Sequence, residues 1–213
     1  GLRVRVIDGD REATYIYRGV REAVDLRALP TWLVMDIGGG SVEFIVCTDR
    51  GILWKRSFEV GAQRLLDRFM PADPIRPADV ARLMAYLDEQ LAPLTAAVAA
   101  HRPEALAGAS GTFDTLVEMH AHATEQPVDW EGRTSFELPP DVYRTFHRQL
   151  LERDRAARLA LPGMVEQRVD MIVVASCLID FVLTRYDLRT VRVSTYALKE
   201  GVLATAAGRY PAL

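Results

Sequence analysis

The stretch Asp36-Ile37-Gly38-Gly39-Gly40-Ser41-Val42-Glu43 constrains this chain more than any other. Apolar runs flank it at residues 32–37 and 42–48, and four small residues between two such runs predict a hairpin. With residues 38–41 as the turn, Ile37 faces Val42 and Asp36 faces Glu43 on one face of the sheet, their Cβ atoms roughly 4.5–5.5 Å apart. Two carboxylates so placed in a partly buried site repel with little screening. Either one keeps a proton or a cation lies beside them. An oxygen-seeking ion that retains water and bridges to phosphate, Mg²⁺, fits best, with Asp36 and Glu43 as its ligands. The glycines Gly38, Gly39 and Gly40 clear side chains from the turn so that backbone N–H groups can face an anion, and Ser41 adds a hydroxyl donor. The combination suits a metal-bound phosphoanhydride. A one-residue slip would put the acids on opposite faces and leave a solvated Gly-rich hairpin.

The remainder of the chain supplies the frame. Ala13, Ile16, Tyr17 and Val20 repeat at helical spacing and predict a helix over 9–20, capped by Asp8 or Asp10. Residues 21–30 read as a connection. Extended runs are expected at 32–37, 42–48, 52–58, 105–109 and 190–194. Helices are expected at 61–70, 78–100, 112–123, 140–153, 167–186 and 197–207, while 124–138 read as polar and irregular. This order is that of an α/β protein, a mixed five-stranded sheet flanked by helices. Both faces of the first two strands are apolar, so they belong inside a sheet covered on both sides.

Composition narrows the function classes. Net charge is −3 and no basic stripe interleaved with aromatics occurs, so duplex nucleic acid is not an expected partner. Mild acidity leaves a polyanionic substrate open, because a few placed cations or a metal decide that locally. Cys47 and Cys177 sit in apolar runs and read as buried thiols. No window reaches about 18 uninterrupted apolar residues and no signal pattern opens the sequence, so no membrane partner and a cytoplasmic location are expected.

Two further candidates have two readings each. Glu12 stands in the first turn of the 9–20 helix, where it either complements the helix dipole or reaches from the edge of the core to take a proton from water. Gly108-Ala109-Ser110-Gly111-Thr112 marks a strand-to-helix junction, either an ordinary N-cap or a phosphate seat with hydroxyls from Ser110 and Thr112. His101, His120, His122 and His147 form no metal pattern and read as surface positions.

Taken together these residues resemble the Ppx/GppA family of exopolyphosphatases and guanosine pentaphosphate phosphatases. DIGGGSVE is similar to that family's DIGGGSTE signature, with Val42 in place of Thr, and VIDGDREATYIYRGV resembles its VISGEEEARLIYLGV segment. FEVGAQRL, AGASGT, LALPGM and VSTYALKEGVL match further blocks in order, over nearly the whole chain. The resemblance implies an actin-like, ribonuclease-H-type fold of two lobes around a phosphate cleft. Residues 1–30 would hold the end of the first lobe and the catalytic-Glu helix, and 31–213 the second lobe with its phosphate-binding hairpin. It implies Glu12 as general base, Asp36 and Glu43 as Mg²⁺ ligands and Gly38–Ser41 as a phosphate cradle. Ser110, Gly111 and Thr112 would line the phosphate or nucleotide path. The implied reaction is attack of water on a terminal phosphoanhydride of polyphosphate or guanosine pentaphosphate.

Departures from the family pattern are Ala175, Ala197 and Lys199, where many members carry Gly, Gly and Arg. The family's first phosphate loop, Asp-x-Gly-Ser-Asn-Ser, does not occur in this sequence, so the chain alone is expected to have an incomplete cleft and little turnover. The competing reading is a polyphosphate- or nucleotide-binding module without catalysis; a kinase of the same superfamily lacks support in the residues. The helices at 140–153 and 167–186 offer a surface for a homodimer.

Overall fold

Helix α1 (Gly9–Ala23) follows from the apolar spacing: Asp8 caps it by accepting from the Arg11 N–H at 2.8 Å, and Ala13, Ile16, Tyr17 and Val20 turn inward. The computed structural model describes residues 6–213 and carries this helix into the stretch read as a connection. Residues 1–5, part of the expected first-lobe segment 1–30, lie outside the described residues.

Strands β1 (Trp32–Ile37), β2 (Val42–Cys47) and β3 (Ile52–Phe58) form an antiparallel meander. β4 (Ala105–Ala109) runs parallel to β1, β6 (Val191–Ser194) parallel to β4, and β5 (Ser135–Glu137) antiparallel to β6. Among the described residues the sheet therefore has six strands, in the order β3-β2-β1-β4-β6-β5, rather than the five expected. The added strand lies in the segment read as irregular. Its three residues include one buried apolar side chain, Phe136, too little to show alternation.

Every residue of β1 and β2 is buried, as their two apolar faces required. On one face Leu33, Met35, Phe44 and Val46 join the main core. That core is covered by α2 (Ala62–Phe69), α3 (Pro77–Gln90), α4 (Ala92–His101), α5 (Gly111–Thr124), α6 (Pro140–Glu152) and α8 (Met171–Arg185). On the other face Trp32, Val34, Ile45 and Cys47 lie beneath α1. The period-2 alternation of a strand then sends Asp36 and Glu43 to the α1 side. The single helix expected over 78–100 is two, because Pro93 enters the first turn of α4 and has no N–H to continue the ladder of α3. A short helix, α7 (Arg155–Leu159), was not expected. Cys47 and Cys177 are buried free thiols. His147 departs from the expected surface position: it is largely buried and its Nδ1 lies 2.9 Å from Ser176 Oγ. Among the described residues no helix is long and apolar enough to cross a membrane.

Helix α9 (Leu198–Ala206) packs along α1. The two backbones touch: a methyl group on Gly201 would stand 1.8 Å from the Tyr15 carbonyl oxygen, and one on Gly19 2.0 Å from that of Ala197. Replacing a helical glycine with alanine ordinarily gains about 1 kcal/mol. Here the overlap is with backbone, which cannot rotate away. Gly201→Ala should instead lower stability by about 1–3 kcal/mol in urea unfolding; a stabilised variant would show that the two helices can separate freely.

Candidate functional site

The pairing of β1 with β2 places Ile37 opposite Val42 and Asp36 opposite Glu43, so the two acids share one rung and one face. Both are buried, Asp36 to 9% exposure and Glu43 to 2%. Burial pushes the Asp36 carboxyl up to about 7, helped by the negative charges of Glu43, Glu12 and Asp114. Glu12, half-buried in the first turn of α1, is raised first by burial and then by Glu43. Glu12 thus lies within electrostatic reach of the pair, on the helix that covers their face of the sheet.

Could the pair hold a cation? Ser57 is the one hydrogen-bond donor to it among the described residues, reaching Glu43 Oε1 at 2.6 Å. Two buried carboxylates on one rung, with a single donor to the pair among the described residues, are a fitting seat for a hard divalent ion. Among the described residues no group of three or more His, Cys, Asp or Glu is placed to hold a metal. An ion at Asp36 and Glu43 would take the rest of its shell from water, a habit that suits Mg²⁺.

The turn between the acids is shaped from behind by α2. The carbonyls of Gly38, Gly39 and Gly40 accept from the N–H groups of Ala62 (2.9 Å), Gln63 (3.0 Å) and Gly61 (3.1 Å). Arg64 Nε adds a second donor to the Gly40 carbonyl at 2.8 Å. Gly38 N–H is spent on the Ser41 carbonyl, but among the described residues those of Gly39, Gly40 and Ser41 have no acceptor. With the carbonyls turned toward α2, these donors form a seat for an anion. Gly39 is informative because nothing in the protein demands a glycine there: its φ is not positive, and an added methyl group would meet nothing within 4 Å. The position is exposed and open to solvent.

The second loop braces the first. Ser110 holds φ 83° and ψ 167°, a conformation costing about 1–3 kcal/mol in a residue other than glycine. Its hydroxyl donates to the Ile37 carbonyl at 2.9 Å, just ahead of the glycine turn. That proton is thus committed within the protein, and Thr112 is buried. Gly111 allows a close contact: a methyl there would overlap the Arg168 guanidinium at 1.7–1.9 Å.

Arg168 and Asp114 escaped the sequence reading. They share a cavity of about 280 Å³ with Gly111, Thr115, Glu118 and Trp130. Burial lifts Asp114 to about 6 while the Arg168 charge pulls it down. Asp114 offered the same faint signal as Glu12, an acid in a first helical turn. Arg168 offered none, since only the fold brings it to the start of α5.

The hairpin thus aligns two buried acids beside backbone donors that have no acceptor among the described residues, on an α/β sheet. Comparison with known proteins makes this specific: residues 1–209 match the Ppx/GppA phosphatase family, and the chain belongs to it. It is 26% identical over 204 residues to exopolyphosphatase 1 of Mycobacterium leprae, covering 95% of this chain and 59% of that protein. The putative exopolyphosphatase of Haemophilus influenzae is 26% identical over 200 residues, 94% of this chain and 59% of that one. The crystal structure of an exopolyphosphatase from Cytophaga hutchinsonii superposes with a TM-score of 0.90 at 48% identity, over 95% of this chain and 65% of that chain. A Ppx/GppA family member from Aquifex aeolicus, at 21% identity and a TM-score of 0.85 over 100% of this chain and 67% of that one, shares the fold. The actin-like fold that the motifs implied is thus the fold observed, and the chain spans 59% of the length of these curated relatives.

The raised Asp36 pKa sets the direction of a stability test. The folded chain holds a proton on Asp36 that the unfolded chain releases, between about 3.8 and about 7. Native stability therefore falls as pH rises through that window. Asp36→Asn should stabilise the ion-free chain at pH 8 by roughly 1–4 kcal/mol, with little effect at pH 4. Urea unfolding at both pH values checks this, and a gain confined to acid would contradict it.

Proposed function

We propose that this chain carries the ion-binding, phosphate-binding and general-base parts of an exopolyphosphatase, which removes the terminal phosphoryl group of inorganic polyphosphate by attack of water. One observation carries the reading: Asp36 and Glu43 share one sheet face within electrostatic reach of Glu12, beside a turn whose N–H groups at Gly39, Gly40 and Ser41 have no acceptor among the described residues. Polyphosphate is assigned over guanosine pentaphosphate because the relatives bear the name exopolyphosphatase.

In this reading Gly39, Gly40 and Ser41 receive the oxygens of the terminal phosphate through their N–H groups. Asp36 and Glu43 would hold Mg²⁺, which when bound draws charge from phosphoryl oxygens. Glu12 orients a water and accepts its proton as the new P–O bond forms. The bridging P–O bond breaks and the shortened chain leaves with the electron pair. Burial suits Glu12 to the task, since a raised pKa makes it a better base than an exposed carboxylate. Positioning and charge neutralisation then supply most of the rate. The relatives' additional length would complete the cleft, so the chain alone should bind tripolyphosphate weakly and turn it over poorly.

Two substitutions separate binding from chemistry. Glu12→Gln, in a protein extended to the relatives' full length, should lower phosphate release about 10²–10⁴-fold while tripolyphosphate affinity holds. An unchanged rate would remove Glu12 from the mechanism. Gly39→Val should leave urea stability within about 0.5 kcal/mol, since the space there is open, yet abolish tripolyphosphate binding by calorimetry. Binding that survives would show that the turn is not the anion seat.

A further inference from the structure

Glu43 is held from the side by β3, an edge strand. Ser57 stands opposite Glu43 in the β2–β3 register, and its hydroxyl donates to Glu43 Oε1 at 2.6 Å. Among the described residues Glu43 Oε2 accepts no hydrogen bond, so one carboxylate oxygen is fixed and the other is left for a ligand. Two contacts keep this arrangement rigid. Gly9, the first residue of α1, closes over the serine so tightly that a methyl group on it would lie 2.7 Å from Ser57 Cβ. Two residues along the same strand face, Lys55 Nζ donates to the Asp10 carbonyl at 2.9 Å and pairs with the Asp10 carboxylate at 2.8 Å. The first turn of α1, which carries Glu12, is thereby clamped above Ser57. A larger side chain at 57 would lift that turn.

We propose that Ser57 is a positioning residue for Glu43: its hydroxyl orients the carboxylate so that the free oxygen, with Asp36, takes up Mg²⁺. This rests on reading Asp36 and Glu43 as the ion ligands, and it adds that their competence depends on a donor from the edge strand. Outer-shell donors of this kind change metal affinity by about 10–100-fold when removed. A serine present only to satisfy a buried carboxylate would change stability and leave the ion affinity of the folded chain alone.

Titration of Mg²⁺ alone into the chain by isothermal calorimetry separates these roles. The wild type should bind, and Asp36→Asn should show no uptake. Ser57→Ala should bind about 10–100-fold more weakly. Ser57→Cys repeats the test with the volume kept and the donor weakened, which guards against a folding defect in the alanine variant. Circular dichroism confirms that each variant is folded. Wild-type affinity in either folded Ser57 variant overturns the proposal while leaving the ion site standing. Absence of Mg²⁺ uptake in wild type and Asp36→Asn alike removes the ion site, and the positioning role with it.

Discussion

Two carboxylates on one rung of a buried strand pair are the constraint around which the structure is arranged. Such a pair opposes folding, because each charge loses water and gains a like neighbour. The register that creates it must therefore be imposed by the rest of the sheet. A slip of one residue would put the two acids on opposite faces, turning one of them into the main core and sending that strand's large apolar side chains to the α1 side. The large side chains Leu33, Met35, Phe44 and Val46 forbid that slip by what they would lose in burial, roughly 1.5–3 kcal/mol each. The apolar faces hold the acids where local electrostatics alone would not.

The glycine turn shows a related use of backbone. A helix start commonly meets an anion directly with its free N–H groups. Here the start of α2 meets the carbonyls of the turn, and the turn then offers its own N–H groups outward. Gly61 permits this contact, since a methyl group there would lie 2.4 Å from the Gly39 carbonyl oxygen. The positive end of the helix dipole thus acts through the turn peptides, whose polarisation strengthens their donors. The anion seat is formed by two backbone segments rather than by a single loop.

How much of this was legible beforehand depended on whether the determining contacts were local. The hairpin register followed from four small residues between apolar runs, and with it the Asp36–Glu43 pairing. Helix α1 followed from its spacing, though its end did not, because Tyr17, Val20 and Ala23 are kept helical by packing on the sheet and α9. Pro93 split a helix that its apolar pattern had joined, since a proline in a first turn is compatible with either reading until the geometry is seen. The strand at Phe136 was illegible because its partner, β6, is remote in sequence. The same holds for Arg168 beside Gly111 and for Ser110 on Ile37. The Asp36–Glu43 pairing was readable; the contacts that brace the glycine turn were not.

The charge pattern also bears on why an ion would be needed at all. Burial raises the pKa of Glu12, Asp36 and Asp114, and the negative charges of Glu43, Glu12 and Asp114 add to the rise at Asp36. A polyanion brought to the adjacent turn would meet this field at short range, where screening by salt is weak. Backbone N–H groups carry only partial charges, and Arg168 shares its cavity with the acids Asp114 and Glu118. Under the proposed function a cation at the Asp36–Glu43 pair would lower this repulsion and so favour a phosphate at the turn. On that reasoning the acids select against bare phosphate chains and for their metal complexes, so the unfavourable burial at the centre of the sheet becomes a source of specificity.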